Sequence, residues 1–240
     1  MGLKRITEKS RESRKKRKTN KLILIICEGK DTETEYFENF NSKYTKVQVK
    51  IADKSSKGKN KGKATDPENL VKKAVQFKKD YEIEEKNGDR VWCVFDIDIN
   101  YNNNNNAVQS KINEIQKAKL KSDKNKIRLG MSNPCFELWY LLHFEYTTAT
   151  MKSYSDVQKK LSKYIKDYDK TKDVYYLLKD RIDTAVKNSK KLKKHFEDLS
   201  KKLVDSEENY TNINIKDFVD SNPYTNINTL IEFMEDIENN

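Results

Sequence analysis

Glu28, Asp96 and Asp98 are the residues of this chain most suited to phosphate chemistry. Glu28 follows five consecutive branched aliphatics, Leu22 to Ile26, and Cys27. Asp96-Ile97-Asp98 follows a second apolar run, Val91 to Phe95. Carboxylates brought together repel one another and raise one another's pKa unless a cation neutralises them. A hard divalent ion such as Mg²⁺ takes oxygen ligands and needs only one or two carboxylates besides phosphate and water. One such ion stabilises developing charge, and two can clamp attacking and leaving groups. The expected metal ligands are therefore Glu28, Asp96 and Asp98, with Mg²⁺ (or Mn²⁺) as cofactor. Glu33 and Glu137 are auxiliary acids.

Such a site needs two strands of one sheet. A continuous apolar run bounded by polar residues reads as a strand buried on both faces, and ligands bind beyond the carboxyl ends of such strands. Gly29 lets the chain turn into the next helix. Alternation along an extended chain places Asp96 and Asp98 on the same face.

The remaining pattern alternates strand and helix. Tyr36, Phe37 and Phe40 have helical spacing, and Val47, Val49 and Ile51 alternate as a short strand. Thr65-Asp66-Pro67-Glu68 opens a helix expected to reach about Glu85. Asn100 to Asn106 reads as a low-complexity loop, followed by a helix marked by Ile112, Ile115 and Ala118. Ile127 to Met131 reads as a strand, and Cys135 to Phe144 as a buried helix after Pro134. From Ser153 onward the pattern is helical only, with one helix expected over Val174–Phe196 and a cap at Asn222-Pro-Tyr-Thr225. The order implies α/β architecture: a mostly parallel sheet flanked by helices, with a C-terminal helical lobe. The expected division is a flexible basic tail at 1–20, a catalytic domain at 21–150 and a helical lobe at 151–240 packed on it.

The chain has 240 residues and a net charge of +11. Residues 1–21 hold ten Lys/Arg against Glu8 and Glu12, and residues 53–63 hold five Lys against Asp53, so the rest is nearly neutral. Charge concentrated in two segments suits arms that follow a phosphate backbone. Lys57, Lys59, Lys61 and Lys63, together with Lys30 and Arg128, are the candidate nucleic-acid contacts. No apolar stretch is long enough to span a membrane, and no signal-type segment follows the basic start. We expect a cytoplasmic protein. Cys27, Cys93 and Cys135 lack metal or disulfide spacing, so neither zinc nor a disulfide framework is expected. No GxxxxGK[ST] occurs, so ATP-driven sensing would need a partner.

The two acidic motifs resemble the TOPRIM signature of topoisomerases, primases and OLD-family nucleases. Glu28-Gly-Lys-Asp-Thr-Glu-Thr-Glu-Tyr-Phe37 and Ser132-Asn-Pro-Cys-Phe-Glu-Leu-Trp-Tyr-Leu-Leu-His-Phe144 are similar to the RloB family, as is Asn222-Pro-Tyr-Thr225. That resemblance implies a TOPRIM-like fold and a metal-dependent nuclease in antiphage defence or abortive infection. It implies Glu28 as the first acid, Asp96 and Asp98 as the paired ligands, and Glu137 as a later acid. Glu33 stands where related nucleases place a further acid, at a different spacing. RNA, with tRNA as one case, is favoured over DNA by analogy alone. The rival readings are a non-catalytic nucleic-acid-binding or regulatory subunit of a defence system, and a hydrolase acting on a nucleotide of NAD type.

Overall fold

The computed structural model describes residues 20–29, 31–51, 66–99, 105–204 and 207–240. Residues 1–19, Lys30 and the lysines at 57, 59, 61 and 63 lie outside them. Four strands, β1 (Lys21–Cys27), β2 (Val47–Ile51), β3 (Arg90–Asp96) and β4 (Arg128–Asn133), pair in parallel in the order β2-β1-β3-β4. A fifth, β5 (Tyr224–Thr225), adds antiparallel to β4. Every residue of β1 from Leu22 to Cys27 is buried, as the unbroken aliphatic run requires. The result is an α/β fold with a mostly parallel sheet, consistent with a TOPRIM-like architecture.

The register brings the acids to one edge. Cys27 faces Val94, and Asp96 faces Ser132. Glu28 and Asp96 therefore end adjacent strands, next to the Ser132-Asn133 end of β4.

The helices are α1 (Thr32–Glu38), α2 (Phe40–Lys43), α3 (Pro67–Asp80), α4 (Asn105–Asn125) and α5 (Glu137–Leu142). After them come α6 (Tyr154–Leu161), α7 (Tyr175–Leu178), α8 (Ile182–Asp198), α9 (Ile215–Asp220) and α10 (Ile227–Asn239). Asp66 caps α3 by accepting the Asn69 N–H at 2.8 Å. That helix ends short of the expected Glu85 because Glu82 adopts a left-handed φ of 50°. The N–H of Ile83 then reaches Lys78 O and that of Glu82 reaches Lys79 O, closing a Schellman turn. Lys126 and Ser200 end α4 and α8 in the same way, with φ of 54° and 64°. A chain with only 6 glycines uses other residues at these left-handed positions.

Three further expectations are corrected. The asparagine run does not remain a loop to Asn106, because α4 starts at Asn105 and gains Val108 as an extra turn against the core. The expected helix over 174–196 divides into α7, a 3-10 turn at Lys179–Arg181, and α8. The C-terminal third is not helical throughout, since β5 completes the sheet. Two residues are too short to show a strand period, and tertiary bonds hold them. Thr225 Oγ1 donates to Met131 O at 3.0 Å. Asn226 extends the ladder through its side chain, accepting from Met131 N at 2.7 Å and donating to Leu129 O at 2.9 Å.

A triplet, Ser-Asn-Pro, occurs at both 132–134 and 221–223. The Asn222 amide donates to Asn133 Oδ1 at 2.9 Å, joining the two. α10 packs against β4, where a side chain at Gly130 would meet Ile227 Cδ1 at 3.0 Å. One hydrophobic core thus contains residues of both the sheet and the C-terminal helices.

Candidate functional site

Glu28 leaves β1 with its N–H bonded to Val94 O at 2.8 Å. Its Oε2 accepts the Asp96 N–H at 3.3 Å. Glu33, in the first turn of α1, is buried and its carboxylate lies directly over Gly29. A side chain at position 29 would collide with Glu33 Oε2, so glycine leaves room for the acid as well as for the turn.

Asp96 closes β3, and its Oδ1 is buried without a hydrogen-bond partner. Glu137 opens α5 and is 1% exposed. Its Oε1 accepts from Tyr168 Oη at 3.4 Å and faces Lys170 Nζ at 3.5 Å. Its Oε2 is buried with no hydrogen-bond partner. Burial raises the Asp96 pKa well above the ordinary carboxylate value, and the charges of Glu33, Glu137 and Glu28 raise it further against Lys170. The same surroundings push up the Cys135 thiol, through burial first and then Glu137 and Asp96. It is therefore held as an inert thiol beside the acids. Burial works against the Lys170 ammonium, but Glu137, Asp96, Cys135 and Glu33 outweigh it and hold its pKa above the usual lysine value.

Asp98 departs from the expectation. β3 ends at Asp96, and Asp98 takes a φ of 42° while its N–H donates to Pro134 O at 3.1 Å. The left-handed residue breaks the two-residue alternation that would have placed both aspartates on one face. Asp98 is exposed, whereas Glu33 and Glu137, read as auxiliaries, act on Asp96.

Arg128 is also corrected. It lies at the opposite end of β4, is 4% exposed, and is ion-paired to both Glu85 and Glu207. Its guanidinium sits 4.2 Å from the Tyr210 ring centroid. Arg90 Nε also meets Glu207 Oε1 at 2.6 Å. A guanidinium so enclosed is not presented to a phosphate backbone. The side-chain amide of Asn133 is similarly committed. Asn133 Nδ2 donates to Val219 O at 2.8 Å and Ser221 O at 3.1 Å.

Lys170, Tyr168 and Tyr154 escaped sequence reasoning. They belong to α6 and the segment after it, whose lysine-rich sequence carries no local motif. Lys170 Nζ rests 4.4 Å from the Tyr154 ring centroid, and Thr32 Oγ1 donates to Lys170 O at 3.3 Å.

Among the described residues, no group of three or more His, Cys, Asp or Glu side chains is already arranged to hold a metal ion. The donor chemistry nevertheless fits a hard divalent cation. The acids supply only oxygen, and two buried oxygens, Asp96 Oδ1 and Glu137 Oε2, lack partners. Among the described residues no helix is long and apolar enough to cross a membrane.

A family model described as RloB-like protein matches residues 23–234. No curated protein and no solved structure matches the chain.

Proposed function

The chain belongs to the RloB-like protein family, whose membership suggests a defence-related role, and on that premise we propose a nuclease dependent on Mg²⁺ or Mn²⁺. It hydrolyses phosphodiester bonds of RNA, with tRNA as the first substrate to examine. The observation that carries this reading is the pair of buried, unpartnered oxygens on Asp96 and Glu137 beside Glu28 and Glu33. A packed core has no use for four acids at one sheet edge, and the unpaired oxygens are costly without a ligand.

Glu28, Asp96 and Glu137 would hold the cation. When bound, such an ion polarises a phosphoryl oxygen and lowers the pKa of its water. Glu28, fixed through Oε2 by the Asp96 N–H, is the base that takes the proton of the attacking water. Tyr168 holds Glu137 Oε1 in place.

Purified protein incubated with Mg²⁺ and total RNA, plasmid DNA or NAD in separate reactions tests the proposal. We expect cleavage of RNA by wild type and none by Asp96→Ala. Cleavage of NAD alone would make the protein a nucleotide hydrolase. Binding of RNA with no cleavage of any pool would leave a non-catalytic defence subunit.

A further inference from the structure

We propose that Lys170 is the phosphate-binding cation of this site, contacting a nonbridging oxygen of the RNA backbone. This rests on the nuclease reading above and adds a residue that neither acidic motif contains.

Three observations carry it. Lys170 is delivered by the segment between α6 and α7 and, among the described residues, is a cation that faces Glu137. Its contact with Glu137 Oε1, at 3.5 Å, is longer than a normal charge-assisted bond, so the pair is loosely closed. The ammonium side chain is also 49% exposed, although Glu137 is almost fully buried. Full entry among the acids would strip the ammonium of its hydration, a cost that can exceed the added attraction, whereas at this exposure it stays accessible to an incoming anion. This one stops at the rim, with one side toward the acids and the other toward solvent.

Its position is also braced. Tyr154 lies beneath the ammonium at 4.4 Å, Thr32 holds the backbone carbonyl, and Gln158 Nε2 donates to Tyr168 O at 3.2 Å. Thr32 begins the helix that carries Glu33, so the lysine is tied to the same segment as that acid. A fixed ammonium at the mouth of an acidic site supplies the attraction that a polyanion needs to approach those acids. Lysine binds phosphate as a compact point charge with three donors.

The test uses the full chain with a fluorescent single-stranded RNA, in Ca²⁺ to hold the complex without turnover. We expect Lys170→Met to weaken binding about three- to tenfold and to reduce the slope of log affinity against log salt by about 0.7, the value for one lost phosphate contact on a single strand. Lys170→Arg should retain most of the affinity. In Mg²⁺, Lys170→Met should lower kcat by about 100-fold or more, as loss of one transition-state donor does. Should Lys170→Met fail to fold, Lys170→Gln replaces it. Wild-type affinity and salt slope in the folded variant would overturn the proposal. So would unchanged RNA affinity with tighter Mn²⁺ binding, which marks a counter-ion only, or an absence of RNA binding by wild type. If wild type binds RNA but cleaves nothing, and Lys170→Met still loses affinity, the phosphate contact stands and the nuclease reading falls.

Discussion

The backbone N–H of Asp96 donates to the Glu28 carboxylate at 3.3 Å, joining the acids at the ends of two adjacent parallel strands. The bond crosses 68 residues of sequence. It fixes one Glu28 oxygen and places the Asp96 side chain, with its buried Oδ1, among Glu33 and Glu137. The consequences can be measured.

Asp96→Asn and Glu137→Gln should each lower RNA cleavage at saturating Mg²⁺ by about 100-fold or more, with far-UV circular dichroism unchanged. Glu28→Gln should do the same. Asp98→Asn, at an exposed position beyond the strand, should cost less than any of these. An Asp98 variant as inactive as Asp96→Asn would show that the loop closes onto the acids when the cation binds.

Without metal, Asp96→Asn should be more stable than wild type at neutral pH. The raised pKa means that the folded chain binds this proton more tightly than the unfolded chain. That contribution is fully present below the unfolded value of 3.8 and is lost as pH rises through the folded value. Melting curves should therefore separate the two proteins at about pH 8 and converge near about pH 3. Each kcal/mol of repulsion relieved should raise Tm by about 2–4 °C. Lower stability of the variant across the whole range would contradict this electrostatic account.

His143 should make the fold acid-sensitive. Buried between Tyr36 Oη at 3.4 Å and Trp139 O at 2.8 Å, it has its pKa lowered from 6.5 to about 4, chiefly by burial. The folded chain thus resists protonation, and the stability from neutral His143 is present above 6.5 and lost as pH falls through about 4. The loss amounts to about 3 kcal/mol. His143→Gln, neutral throughout, should lower stability at neutral pH yet flatten the decline between those two values. Urea unfolding at several pH values measures the difference.

Arg128→Met should cost about 3–5 kcal/mol, because it leaves Glu207 and Glu85 partly buried with a partner removed. RNA affinity and its salt slope should not change for the folded fraction. A fall in that slope with stability intact would return Arg128 to the nucleic-acid surface.

The sequence alone determined the two central strands and the acids that follow them. Leu22 to Cys27 can be buried on both faces only inside a covered parallel sheet, and Glu28 necessarily follows its end. The same holds for Val91 to Phe95 and Asp96, and the segments from Glu28 and from Ser132 carry the family resemblance. Tertiary structure decided which charges meet. Asp98 turns away because of one left-handed φ accompanying a bond to Pro134 O, which a two-residue period does not encode. Arg128 is enclosed by Glu85 and Glu207, 43 and 79 residues away in sequence, and β5 exists only because β4 offers an edge. Tyr168 and Lys170 reach Glu137 from a segment with no strand or helix period of its own. Periodicity reports which face of an element is buried; the partner across that face is chosen by packing between distant parts of the chain.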